Sequence, residues 1–231
     1  KWEKITEGLF NEKELLLPKE WGHKVINCIH EVEIFDVIKK FAPKYNVMYD
    51  IGSHYGWFSI AWICSGGKYV EAFEPAKKNA DIMMETILKN KFEKQIHLHR
   101  IALSDINNED NLYLFKGDSS RNFIRRSDLD KTSEMVCIER VKTYRLDYLK
   151  DKIKKPDLIK IDVEGHESEV LAGARNFIIE TAPAIVVEIH DTTNALEVAN
   201  FFCDLEYDMK ILGYKGRNKS LPFVLWKKRS S

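Results

Sequence analysis

The spacing of apolar positions changes repeatedly along this chain. In "CIHEVEIFDVIKKFA" (28–42), Ile29, Val32, Phe35, Ile38 and Phe41 recur at three-residue steps among polar neighbours, which predicts an amphipathic helix ended by Pro43. "NVMYDIG" (46–52) reads as a short buried strand, "WFSIAWICS" (57–65) as a helix closed by Gly66 and Gly67, and "YVEAFEP" (69–75) as a second strand stopped by Pro75. "AKKNADIMMETILKN" (76–90) places Ala80, Met83, Met84, Ile87 and Leu88 on one side of a helix and leads into the alternating strand "QIHLHRIAL" (95–103). Strands separated by helices in this way predict a parallel sheet.

Between residues 110 and 150 the rhythm changes. "NLYLF" and "MVCIERVKTY" read as strands joined by the polar "KGDSSRNFIRRSDLDKTSE" with no helix between them, so this region is expected to be a β-rich insertion on the core. Alternation resumes with the strand "PDLIKIDVEG", the helix "ESEVLAGARNFIIE", the strand "AIVVEIH", the helix "ALEVANFFCDL" and two terminal strands around "YDMKIL" and "PFVLW". The chain of 231 residues suits one α/β core, with residues 1–45 a helical extension packed on it and residues 46–231 the main domain.

Lysine plus arginine total 36 and aspartate plus glutamate total 36, so the chain lacks the basic field on which nucleic-acid binding rests, and no nucleic-acid partner is expected. Cys28, Cys64, Cys137 and Cys203 are scattered, without zinc-ligand spacing, and read as reduced thiols. The N-terminal "KWEKITEGLFNEKELLLPKEW" has no long apolar run, which predicts neither a signal peptide nor a transmembrane segment. A cytoplasmic location is expected, with the basic "WKKRSS" the feature that would touch the inner face of an anionic membrane. The first residue is not Met, as expected of a domain cut from a longer polypeptide or of a chain trimmed in the cell, and a place in a larger polypeptide or glycan-assembly complex is the partner reading.

In a doubly wound sheet the ligand sits beyond the carboxyl ends of the strands, so the strand ends carry the candidate chemistry. The first strand ends in Asp50, Ile51 and Gly52, and Gly52 and Gly56 bracket Ser53, His54 and Tyr55 in a tight turn that lets backbone approach a ligand. Glu74, about twenty residues on, can accept both hydroxyls of a ribose. "ALSD" brings Ser104 and Asp105 to the third strand end, where Asp105 could accept from an adenine amino group. The turn reads G-x-x-x-G with bulky Tyr55 and Trp57, rather than the G-x-G-x-x-G that meets a pyrophosphate, so a nucleoside without phosphates fits better. S-adenosylmethionine is such a cofactor, and Asp50 could position its amino acid arm. The fourth strand ends in "IKIDVEGHE", crowding Asp162, Glu164, His166 and Glu167 at its tip, and the fifth brings Glu188 and His190 to the next tip. For each of these residues the competing reading is a helix cap or surface ion pair, strongest for Glu164 and Glu167, because a helix N-terminus welcomes acids regardless of function.

The stretches "DIGSHYGWFS", "EAFEP", "IALSD", "TYRLDYL", "IKIDVEGHESEVLAGA" and "PAIVVEIH", spanning roughly residues 46 to 190, resemble the FkbM family of S-adenosylmethionine-dependent methyltransferases. The resemblance implies a Rossmann-like class I methyltransferase fold: a seven-stranded, mostly parallel sheet flanked by helices, with its last strand antiparallel. It implies methyl transfer to a hydroxyl, most often of a sugar in a glycan or glycoconjugate, with S-adenosylhomocysteine as product. Asp50, Gly52, Ser53, His54 and Gly56 would then line the donor site, Glu74 would hold the ribose, and Ser104 and Asp105 would lie by the adenine. "GSH" stands where the family more often shows "GAN", so His54 replaces an amide.

Because the sulfonium methyl is already activated, the enzyme has mainly to hold an acceptor oxygen in line and exclude water. His190 is the expected general base, with Asp162 and Glu188 orienting it or gripping acceptor hydroxyls. Glu164, His166 and Arg121 are expected on the acceptor side, Arg121 with Arg125 and Arg126 as a clamp for an acidic or phosphate-linked sugar. No metal is required; Mg²⁺ held by Asp162, Glu188 and His190 is the less favoured alternative. The competing readings are a methyltransferase for a peptide or lipid head group, and an inactive cofactor- or glycan-binding domain of a larger protein.

Overall fold

The structure, a computed structural model, describes residues 1–17, 22–115, 123–124, 135–190, 192–212 and 223–229. The chain opens with a hairpin, β1 (Trp2–Lys4) antiparallel to β2 (Glu14–Leu16), followed by α1 (Gly22–Ile26) and α2 (Val32–Phe41). The apolar repeat predicts only a helix here, and one that begins earlier. Cys28 and Glu31 take left-handed backbone (φ 54° and 49°), which interrupts a right-handed helix, so Ile29 falls outside α2 and stays exposed while Phe35, Ile38 and Phe41 are buried.

The alternating core follows as β3 (Val47–Ile51), α3 (Trp57–Cys64), β4 (Tyr69–Phe73), α4 (Lys77–Lys89) and β5 (Ile96–His99). The single strand expected over 95–103 is two. After His99 the chain leaves the main sheet, and β6 (Ala102–Leu103) joins β7 (Asn108–Phe115), β8 (Phe123–Ile124) and β9 (Met135–Tyr144) in a second, four-stranded sheet of order β6-β9-β7-β8. Period-two patterning gives a strand's facing and cannot tell which partner it pairs with. The second sheet is the β-rich insertion read from the sequence.

Beyond α5 (Leu146–Leu149) come β10 (Leu158–Ile161), α6 (Glu167–Gly173), α7 (Arg175–Thr181), β11 (Ala184–Glu188), α8 (Thr192–Asp204), β12 (Tyr207–Ile211) and β13 (Phe223–Lys228). The one helix expected over 167–180 breaks between α6 and α7. Gly173 packs so closely on the Ser104 carbonyl that a Cβ there would lie 1.9 Å from it, and Ala174 departs from helical geometry at φ −109°, ψ 2°.

The main sheet runs β12-β13-β11-β10-β3-β4-β5. Strands β11, β10, β3, β4 and β5 are parallel, and β13 is antiparallel to both β11 and β12. Every residue of β3 and β10 is buried, as a strand covered on both faces requires. One face packs on Phe35, Ile38, Phe58, Trp62 and Met83; the other packs on Phe177, Ile178 and Phe202, with Tyr49 stacked on Phe177 at 5.9 Å. The chain moves outward from β3 to β5, returns beside β3 as β10, and moves outward the other way. The strand order therefore reverses between β3 and β10, and a crevice opens beyond their carboxyl ends. No helix among the described residues is long and apolar enough to cross a membrane.

Candidate active site

The crevice begins where β3 turns into α3. Gly52 has φ +75°, and a Cβ there would fall 1.8 Å from the Asp162 carbonyl oxygen, so the turn passes directly over the end of β10. Gly52 and Ser53 donate their N–H groups to the Phe73 carbonyl at 3.0 and 3.1 Å, fastening the turn to the end of β4. Gly56 caps α3 at φ +82°. The Ser53 hydroxyl faces the interior, 3.2 Å from Met83 Sδ, so what Ser53 presents to the crevice is backbone. The His54 ring stacks on Tyr55 at 3.9 Å and meets the edge of Trp57 at 5.5 Å.

Glu74 lies at the end of β4, where the sequence put it. Its two oxygens accept from the backbone N–H of His54 (2.8 Å) and of Ala76 (2.9 Å), and Asn79 adds a longer contact at 3.4 Å. Burial pushes the Glu74 carboxyl up to about 7, against those hydrogen bonds. A carboxyl raised in the folded state contributes stability that is present below its ordinary pKa, near 4.5, and is lost as pH rises through about 7. Glu74→Gln removes that titration, so the variant should gain on wild type by up to a few kcal/mol between pH 5 and pH 8. Urea denaturation at both pH values checks this, and a stability difference independent of pH would refute it.

The buried centre of the crevice is Lys160, in register with Asp50 across β10 and β3. Its ammonium donates to the Gly52 carbonyl at 2.9 Å and lies 3.1 Å from Asp162 Oδ2 and 3.4 Å from Asp50 Oδ1. Burial alone would lower the Lys160 pKa, but Asp162 and Asp50 hold it above the ordinary lysine value. Asp50 is fully buried and accepts from Ser59 Oγ at 2.6 Å; burial pushes its carboxyl up despite Lys160. Lys160 has no place in the sequence-based site. The signal was there: each central strand carries one charge at the same distance before its end, Asp50 two residues before Gly52 and Lys160 two before Asp162.

The ends of β10 and β11 bring Asp162, Glu188 and His190 together, with one ligating atom from each lying within 4.8 Å of the others. His190 donates from Nδ1 to Glu167 Oε1 at 2.8 Å, and its Nε2 lies 3.6 Å from both Asp162 Oδ1 and Glu164 Oε1. Glu167 is fully buried and also accepts the N–H groups of Gly165 (3.1 Å) and Val163 (3.3 Å). It begins α6, where an acid is welcome for the helix alone, and only the fold shows that it also holds His190. Burial alone would raise Asp162, but Lys160, then His190, hold it below the usual range; burial pushes Glu164 up. Burial alone would lower His190, but the Glu164 and Glu167 carboxylates, with Asp162, push it up to about 12. Carboxylates this close favour the protonated form of the imidazole.

His166 stands apart from this group. Its Nε2 is 3.0 Å from Ser104 Oγ, which ties the start of α6 to the end of β6, and burial pushes its pKa down. Ser104 also reaches Asp105 Oδ1 at 3.1 Å, and Asp105 is exposed at the rim. Arg121, Arg125 and Arg126 lie outside the described residues.

The model of the methyltransferase FkbM domain matches residues 50–209. Hexuronic acid methyltransferase AglP of Haloferax volcanii is 26% identical over 204 residues, covering 87% of this chain and 78% of AglP. Among solved structures, methyltransferase FkbM from Methylobacillus flagellatus superposes with a TM-score of 0.58 at 17% identity, over 91% of this chain. This chain spans 56% of the length of that structure. The M. capricolum TrmK complex with S-adenosylhomocysteine superposes with a TM-score of 0.52 at 12% identity, over 84% of this chain and 67% of TrmK. Both likenesses are of fold.

Proposed function

Since this chain belongs to the FkbM methyltransferase domain family and has its class I methyltransferase fold, we propose that it transfers the methyl group of S-adenosylmethionine to a hydroxyl of a sugar in a glycan or glycoconjugate. The observation that carries this is the meeting of two half-sites at the β3/β10 crevice. The donor half is the Gly52 turn with Asp50 and Glu74; the acceptor half is Asp162, Glu188 and His190, and Lys160 joins them. AglP, by its name, acts on a hexuronic acid, which favours a sugar acceptor here.

In this reading Glu74 accepts the two ribose hydroxyls with the lone pairs its backbone partners leave free. The Gly52–Gly56 turn and Asp50 hold the methionine arm, and Asp105 lies towards the adenine. The sulfonium supplies the activated methyl, so most of the acceleration comes from holding the acceptor oxygen in line. Asp162, Glu164 and Glu188 are the acceptors within reach for that hydroxyl's proton and for hydrogen bonds from its sugar neighbours.

Calorimetric titration of S-adenosylmethionine, S-adenosylhomocysteine and NAD tests the donor half. Micromolar binding of the two adenosyl ligands is expected, with no binding of NAD. Glu74→Ala should weaken them at least about tenfold, the loss of a charged hydrogen-bond acceptor. Mass spectrometry of uronic-acid and neutral oligosaccharides after incubation with S-adenosylmethionine then tests the acceptor. Absence of adenosyl binding would overturn the reading.

A further inference from the structure

We propose that the outer edge of β12 docks a second copy of this chain, the two copies pairing β12 to β12, antiparallel, about a two-fold axis through Met209. Among the described residues β12 ends the main sheet: β13 pairs with one side of it and no strand pairs with the other. Asp208, Met209, Lys210 and Ile211 are all exposed, Met209 at 56% and Ile211 at 51%. The pairing is independent of what the crevice binds.

The hydrogen bonds from β12 to β13 decide which backbone groups of β12 are left over. The Leu212 N–H donates to the Phe223 carbonyl at 3.0 Å, and the Glu206 carbonyl accepts from the Arg229 N–H at 3.1 Å. In an antiparallel ladder the two edges alternate, so Asp208 and Lys210 turn their N–H and C=O groups towards β13 like Glu206 and Leu212, while Tyr207, Met209 and Ile211 turn theirs outward. A second β12 arriving at that edge has to match outward positions with outward positions, so the two-fold axis passes through a residue and not between two. Centring it on Met209 overlaps the whole strand and sets Asp208 against the partner's Lys210, and Lys210 against the partner's Asp208. These are the non-hydrogen-bonded pairs of the new ladder, in which opposed side chains approach most closely. Centring it one residue earlier or later shortens the ladder and brings two aspartates or two lysines face to face, which is destabilising.

Both faces of the strand suit this register. On one, Asp208 Oδ1 accepts from Arg229 Nε at 2.7 Å, which leaves Oδ2 for the arriving lysine, and Lys210 has no ion-pair partner among the described residues. On the other, Met209 and Ile211 lie beside Trp226 and Val224 of β13 and carry the apolar face of the core one strand further, where nothing described covers it. A second copy covers it, Met209 lying against the partner's Met209 and Ile211 against the partner's Tyr207. A lysine alone on an edge strand guards it against pairing. An aspartate two residues before that lysine, on the same face, makes the edge complementary to itself. The contact is isologous, so assembly closes at two copies. Because β12 runs parallel to β11, the two crevices open towards opposite ends of the joined sheet, and neither completes the other.

Sedimentation equilibrium of the full chain from about 1 to about 200 µM, the range suited to a weak interface, tests the pairing. A monomer–dimer equilibrium is expected. Asp208→Lys and Lys210→Asp each set like charges opposite one another on both sides of the axis, and each should weaken the dimer at least about tenfold. An equimolar mixture of the two single variants should recover it, because every charged pair across the axis is then a lysine with an aspartate. The double variant, which exchanges the two charges, should dimerise as wild type does. Recovery on mixing also shows that both single variants are folded. A wild-type chain that stays monomeric throughout the range, assembly that grows beyond two copies, a dimer indifferent to both substitutions, or a loss that mixing does not restore would each overturn the proposal.

Discussion

Gly52→Ala should abolish S-adenosylhomocysteine binding and destabilise the fold by roughly 3 kcal/mol or more, among the larger effects of a single methyl group. Two costs act together. The residue sits at φ +75°, where an L side chain pays about 1–2 kcal/mol. Its Cβ would also lie 1.8 Å from the Asp162 carbonyl oxygen, and neither side can retreat freely. The Gly52 N–H is bonded to Phe73 and the Asp162 N–H to Ile51, so relief of the clash has to open the joint between β3 and β10. That joint is the floor of the crevice. Urea denaturation and calorimetry together check the result; a variant with wild-type midpoint and wild-type affinity would show that the turn is neither tight nor part of the donor site.

Lys160→Met should destabilise the protein by roughly 3–5 kcal/mol, although methionine fills much of the same volume. The ammonium serves three acceptors at once, the Gly52 carbonyl and the carboxylates of Asp50 and Asp162. Among the described residues, Asp50 Oδ1 makes no hydrogen bond and has only this charge, 3.4 Å away, to compensate it. Removing one partner of a buried pair leaves the other charge uncompensated, which costs far more than the pair contributed. Asp50→Asn in the Lys160→Met background should therefore recover part of the loss, whereas Asp50→Asn in wild type should only destabilise. Denaturant midpoints for the four proteins of this cycle measure the coupling. Strict additivity would mean that Lys160 acts through packing alone.

How far the amino-acid pattern reaches can be seen at particular residues. The strands at 47–51, 69–73 and 158–161 were legible because a sheet covered on both faces demands continuous apolar runs, and the helices between them because apolar residues recur on one side. The placement of Asp50, Gly52, Glu74, Asp162, Glu188 and His190 at strand ends was legible for the same reason, since strand ends follow from strand boundaries. Local pattern also misled where backbone conformation intervened: Cys28 and Glu31 cut α2 short, and the contact of Gly173 with Ser104 divides α6 from α7. The division of 95–103 between two sheets carries no local signature at all.

By itself the sequence determined the alternation of elements, the glycine turn and the supply of acids at the right strand ends. Only the tertiary structure decided what those acids do to one another. Lys160 meets Asp50 because β10 lies in parallel register beside β3, 110 residues earlier, and Glu167 reaches His190 because α6 starts over the end of β11. The upward pull of those carboxylates on the His190 pKa follows from that assembly. Charge on a side chain depends on the distance and burial of its neighbours, and those are set by packing between strands far apart in the chain.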